Sequence, residues 1–194
     1  MSQKSFELFR GKLMGAQKYM ALKAFSIAER AHAGVMRKDG VTPYIEHPIK
    51  VASLLFELGV QDDKILAVAI LHDVLEDCDD TVVKDDLFKS FDTSTIRSIG
   101  LLSKSKNYNN TEYYNAIAND PVATLVKLAD RAHNLSTVYN FSEEKKLKYI
   151  NETIEFVYPL ISHAQHTYYE YSSQLRILDI MIESIVKNVE PYLK

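Results

Sequence analysis

The sequence predicts an all-α fold, on three observations. Apolar residues recur at spacings of three and four along most of the chain. Strand-like alternation is scarce. Capping residues and helix stops stand at the ends of the apolar runs.

In chain order, Phe6, Phe9, Leu13, Ala16, Met20, Ala24, Ile27 and Ala31 trace one face of one or two N-terminal helices, and Gly34 ends the run. Residues 35–47 carry Asp-Gly and Thr-Pro punctuation and read as a loop. A helix follows from about Pro48 to Leu58, with Gly59 as its stop. Asp62 or Asp63 caps the next, expected to run unbroken to about Asp77. Thr81 opens another helix, residues 93–103 form a further one, and Asn110 or Thr111 to Asn119 a short one. Asp120 followed by Pro121 is a cap followed by proline at the first helical position, and that helix is expected to reach about Val138. Ser142 caps the next, with Glu143 and Glu144 set favourably against the helix dipole.

Tyr168, Tyr171, Leu175, Leu178, Ile182, Ile185 and Val189 step 3, 4, 3, 4, 3, 4, a heptad seam. Off-seam Ile177, Ile180, Met181 and Val186 widen that face, which favours a helix docked on its own domain over the alternative of a homodimer seam. The 194 residues are read as one domain, with a core at about 20–165 and a helical extension at about 166–194.

Composition narrows the function classes. With 46% apolar and 25% charged residues, 6 Gly and 5 Pro, the chain is neither collagen-like, mucin-like nor disordered. A net charge of −3 gives no global field toward nucleic acid or anionic membrane. An anionic ligand then needs a local cation cluster or a metal. Cys78 is the single cysteine, so no intrachain disulfide forms. No stretch approaches the roughly 20 apolar residues of a membrane span, and the start has no signal-like apolar region. A soluble, cytoplasmic protein is expected.

Three segments carry chemistry. In Ile65-Leu66-Ala67-Val68-Ala69-Ile70-Leu71-His72-Asp73-Val74-Leu75-Glu76-Asp77, an apolar run that marks a buried helix contains a histidine and an aspartate. A carboxylate buried there is costly without a partner, and a divalent metal takes both imidazole nitrogen and carboxylate oxygen. Glu76 lies one turn beyond His72, and Asp77 one turn beyond Asp73. Asp130 falls in a second apolar helix with Asn134 one turn on, and His47 begins a third. Each alone reads as a core or capping residue. Together they supply two imidazoles and two carboxylates from separate helices, a set that leaves room for water on the metal. Such a set suits Mn²⁺ as well as Zn²⁺ or Fe²⁺.

Here the sequence resembles the HD phosphohydrolase superfamily, and its surrounding words resemble the hydrolase domain of the RelA/SpoT-type alarmone enzymes. The words are Ala31-His32-Ala33-Gly34 leading to Arg37-Lys38-Asp39-Gly40, then Pro43-Tyr44-Ile45-Glu46-His47-Pro48, Leu71-His72-Asp73-Val74-Leu75-Glu76-Asp77, and Val126 to Leu135. The resemblance covers roughly residues 20–165, with these words in the expected order. The resemblance implies a stand-alone small alarmone hydrolase that acts on guanosine 3′,5′-bis(diphosphate) and releases pyrophosphate. It implies one Mn²⁺ on His47, His72, Asp73 and Asp130. Glu76 and Asp77, which hydrolase-active members keep and synthetase-only members lose, would position and activate water. Arg37 and Lys38 would hold the nucleotide, Asn134 its nucleoside, and Lys104, Lys106, Lys145 and Tyr149 further parts of it. His32 and His133 would be structural.

This chain departs from many relatives in Val35-Met36 before the Arg-Lys pair, in a loop to His47 one residue longer than in many long members, and in Cys78 after the acidic pair. The alternatives are the same site acting on an adenosine alarmone, removal of the 2′-phosphate of NADPH, or a non-catalytic alarmone-binding protein.

Overall fold

The computed structural model describes residues 3–37, 40–105 and 107–189. They form two compact units divided between residues 106 and 107. Apart from one isolated antiparallel bridge between Met36 and Pro43, the regular structure among the described residues is helical, as the periodicity predicts.

The first unit holds α1 (Gln3–Gly15), α2 (Tyr19–Ala31), α3 (Glu46–Glu57), α4 (Asp63–Leu71), the single turn α5 (Val74–Asp77), α6 (Thr81–Ser90) and α7 (Thr93–Leu102). The N-terminal apolar run is thus two helices, broken where Gln17 takes a positive φ of 56°. Every residue of α4 from Ile65 to Leu71 is fully buried, which makes it the central rod of the unit, with α2 and α3 packed on it. Two neighbouring aspartates divide the capping at its start. Asp62 accepts a hydrogen bond from the Lys64 N–H and caps α4 itself. Asp63 reaches across to α2, where its two oxygens accept from the N–H groups of Met20 (2.9 Å) and Ala21 (2.8 Å). Lys18 gives α2 no side-chain cap of its own, so the α4 carboxylate satisfies its orphan donors.

Gly59 stops α3 with φ 85° while the Val60 N–H bonds back to the Leu55 carbonyl, the left-handed termination that glycine favours. Asp80 and Asp92 cap α6 and α7. The backbone N–H of Thr95 and the hydroxyl of Ser94 hold the Asp92 carboxyl down at about 2. Nearby, Asp86 pairs with Arg30.

The second unit holds α8 (Asn110–Ala118), α9 (Pro121–Leu135), α10 (Glu143–Glu152), α11 (Tyr158–Thr167) and α12 (Ser172–Val189). Asn109, Asp120 and Ser142 cap the first three. α9 ends three residues before the expected Val138. There the Ser136 and Thr137 hydroxyls donate to the carbonyls of His133 and Asn134, and a short 3₁₀ turn follows. A π turn at Thr153–Val157 joins α10 to α11. On α12, Leu175, Leu178, Ile182, Val186 and Val189 are buried within their own unit, against α9 and α11. The exposed apolar residues of that helix are Ile177 and Ile180, off the heptad seam. No helix of the described residues is long and apolar enough to cross a membrane.

The second unit is built around a buried cation. Arg131, 1% exposed, lies with its guanidinium 3.9 Å from the Tyr149 ring centroid. It donates to the Tyr149 carbonyl, the Thr153 hydroxyl and the Tyr114 hydroxyl, and its Nη2 is 2.9 Å from Glu152 Oε1. Removing one partner of such a pair strands the other charge. Arg131→Ala is expected to lower stability by about 3–5 kcal/mol in urea denaturation. The exposed pair Lys146–Glu143 should contribute under about 1 kcal/mol. Equal losses at the two sites would contradict this account of the unit.

Candidate metal and catalytic site

His72 and Asp73 stand at a break. The sequence predicts one helix from Asp62 or Asp63 to about Asp77, but α4 ends at Leu71 and α5 begins at Val74. An unbroken helix would offer the Ala69 carbonyl to the Asp73 N–H. Here His72 Nδ1 lies 2.8 Å from that carbonyl oxygen. A carbonyl only accepts, so Nδ1 carries the proton, and in the neutral ring Nε2 presents its lone pair. The side chain competes with the helix ladder and in doing so fixes its own tautomer.

The lone pair faces Asp73. His72 Nε2 is 3.2 Å from Asp73 Oδ1, and His47 Nε2, from the first turn of α3, is 3.5 Å from Oδ2. The His47 and His72 rings meet edge to face at 5.2 Å. Both are buried, at 4% and 3% exposure. One ligand atom from each of His47, His72 and Asp73 lies within 4.8 Å of the others, and they form the metal-competent group among the described residues. The donor set fits a divalent cation: two imidazoles, one with a fixed tautomer, and a carboxylate drawn between them.

Glu76 and Asp77 are exposed on the turn that follows, while Val74 and Cys78 beside them are buried. Glu76 Oε2 accepts a hydrogen bond from the Lys104 backbone N–H at 2.8 Å. Lys104, expected to reach phosphates, thus also anchors the candidate acid/base through its main chain. Arg37 lies in the loop ahead of α3, where its N–H donates to the Thr42 carbonyl and its carbonyl accepts from Gly40, whose φ is 71°. Lys38 and Lys106 lie outside the described residues.

Asp130, expected as the fourth ligand, belongs to the second unit. There its Oδ2 pairs with Lys127 Nζ at 2.8 Å and its Oδ1 accepts from Asn134 Nδ2 at 2.5 Å. Burial favours loss of the Lys127 proton, yet the Asp130 charge beside it outweighs that and keeps the amine protonated. Lys145 Nζ sits 3.3 Å from the Phe141 ring centroid. The Tyr149 ring carries Arg131 on one side and meets Phe141 edge-on, and burial pushes its phenol up to about 12.

Sequence reasoning missed one residue near the trio. Tyr44 donates its hydroxyl to Asp73 Oδ2 at 2.8 Å. His32, read as structural, packs its ring on that of Tyr44 at 4.9 Å and is 3% exposed. The one sequence signal was position, since both stand in the words that surround His47. No spacing rule tells where a phenol hydroxyl points.

The HD domain family model matches residues 24–112 of this chain, a span that includes His47, His72 and Asp73. The chain is similar to the guanosine-3′,5′-bis(diphosphate) 3′-pyrophosphohydrolase of Aquifex aeolicus, 37% identical over 145 residues, 71% of this chain and 20% of the relative. It is also 36% identical over 147 residues to the GTP pyrophosphokinase of Streptomyces coelicolor, covering 71% of this chain and 17% of that one. The chain therefore spans about a fifth of the length of the curated relatives it matches. A solved structure described as a metazoan ortholog of SpoT that hydrolyzes ppGpp shares the fold. Its TM-score is 0.66 at 22% identity, over 87% of this chain and 94% of that one.

His32 gives a pH test of the site. Burial lowers its pKa below the ordinary 6.5, although Asp73 and Asp77 pull the other way. Below pH 6.5 the unfolded chain takes up a proton that the folded chain resists, so folding stability falls as pH drops through that value. His32→Phe removes this titration. In chelator-treated protein, the variant's urea midpoint relative to wild type should rise between pH 7.5 and 5.5. A pH-independent difference would contradict the assignment.

Proposed function

We propose that the protein hydrolyses guanosine 3′,5′-bis(diphosphate) and its pentaphosphate relative at the 3′-pyrophosphate, giving GDP or GTP and pyrophosphate. The observation that carries the reading is the convergence of His47, His72 and Asp73 with the exposed acids Glu76 and Asp77 on the next turn. Names among the similar proteins, which include both a 3′-pyrophosphohydrolase and a GTP pyrophosphokinase, support a guanosine polyphosphate as substrate. The acids beside the metal-competent trio favour hydrolysis, because water is the nucleophile that needs a base.

His47, His72 and Asp73 would hold the divalent ion, with Mn²⁺ as the proposed native metal and Asp130 as a fourth ligand carried by the family resemblance. When bound, the ion supplies positive charge against the phosphates and acidity to water. Glu76, held through Oε2 by the Lys104 N–H, and Asp77 take the proton from the attacking water. The bond that breaks joins the 3′ oxygen to its phosphorus, and the proton ends on that oxygen. Arg37 presents a planar guanidinium to the purine, and Lys38 balances phosphate charge. Asn134 contacts the nucleoside. Lys104, Lys106, Lys145 and Tyr149 complete the substrate set in this reading.

The test is product analysis. Protein with Mn²⁺ receives the guanosine alarmone in one tube and NADPH in another, and pyrophosphate and orthophosphate are assayed in both. GDP plus pyrophosphate from the first supports the proposal. Orthophosphate from NADPH alone, or no product from either, overturns it. Two variants separate the roles. Asp73→Asn should lose metal and activity together. Glu76→Gln should keep metal affinity while the rate falls by about 10²–10⁴-fold, the usual worth of a general base. An unchanged rate in either variant would refute its assigned role.

A further inference from the structure

We infer that Tyr44 is a positioning residue of the metal site: its hydroxyl fixes the Asp73 carboxylate between the two histidines, and the His32 ring holds the Tyr44 ring in place. The inference rests on the metal-site reading above and extends it to two residues that no ligand pattern contains.

Asp73 has its two oxygens in different company. Oδ1 lies toward His72 Nε2 at 3.2 Å, while Oδ2 accepts from the Tyr44 hydroxyl at 2.8 Å, with His47 Nε2 at 3.5 Å. A neutral imidazole nitrogen with its lone pair forward gives a carboxylate no hydrogen bond. The phenol does, and its direction selects one rotation of the carboxylate about its last bond.

The phenol is itself held on several sides. Its ring packs against His32 at 4.9 Å with planes 34° apart, and meets the His47 ring edge-on at 6.2 Å. Its N–H donates to the Val35 carbonyl at 2.9 Å, and its carbonyl accepts from the His47 N–H at 2.9 Å. The backbone bond between Tyr44 and His47 ties the positioning residue to a ligand three residues on. His32 is 3% exposed, and both its ring nitrogens lack a hydrogen-bond partner among the described residues. A polar ring buried at that cost is explained by its shape: it backs the phenol. Partners of ligating carboxylates typically contribute about 10–100-fold to metal affinity or activity.

The test is Mn²⁺ binding, read from the loss of the free-ion signal in electron paramagnetic resonance. Tyr44→Phe keeps the ring and its packing but removes the hydroxyl. Its dissociation constant for Mn²⁺ should rise about 10–100-fold. Saturating Mn²⁺ should then restore much of the turnover, a rescue that loss of packing alone would not give. Unchanged affinity overturns the inference. Should Tyr44→Phe fail to fold, His32→Ala and His32→Phe test it without touching the hydroxyl: affinity should fall in the first and hold in the second, and equal affinities overturn it. Asp73→Asn is the control. If it binds Mn²⁺ as wild type does, the metal-site reading itself has failed. If it loses binding while Tyr44→Phe does not, the positioning role alone has failed.

Discussion

The carboxylate of Asp73 is the constraint on which the first unit depends. It follows a run of seven fully buried apolar residues and sits between two buried imidazoles. A charge there costs several kcal/mol unless hydrogen bonds and a counter-charge compensate it. The fold supplies the hydrogen bond from Tyr44 and gathers His47 and His72 around the group. In the proposed reading a divalent cation completes the compensation. The helix break, the tautomer of His72 and the loop before α3 all serve the placement of this one group. What stabilises the rest of the unit, the sealing of α4 by α2 and α3, is ordinary apolar burial.

Much of this was legible in the sequence because it is local chemistry. Caps at Asp62, Asp120 and Ser142 act within three residues, so sequence spacing suffices to find them. The His72–Asp73 pair showed itself by polarity against an apolar run. The break between α4 and α5 did not, because it arises when His72 takes a carbonyl acceptor from the backbone, and periodicity does not register that competition. Asp63 capping α2 was also hidden, since the donors lie more than 40 residues away in sequence. Tyr44 and His32 had no signature, because what matters is where a hydroxyl points and which ring backs it.

The second unit follows a different rule. Its centre is the Arg131 guanidinium, held by Tyr114, Tyr149, Thr153 and Glu152. Asp130, the residue just before it, is paired with Lys127 and Asn134. Asp130 stands out in the sequence by its charge in an apolar helix. The structure gives Arg131 a separate set of acceptors and thereby leaves the two charges on distinct networks. Tyr149, expected to touch substrate, has its ring against this guanidinium, so packing already accounts for much of its surface.

The central claim is that His47, His72 and Asp73 form a preorganised site for one divalent ion. The most direct measurement is anomalous scattering from crystals of the protein grown with saturating Mn²⁺. The account predicts a manganese peak within bonding distance of His47 Nε2, His72 Nε2 and the Asp73 carboxylate, with the Tyr44 hydroxyl still on that carboxylate. A peak at the exposed acids from Asp79 to Asp86 with none at the trio would contradict it.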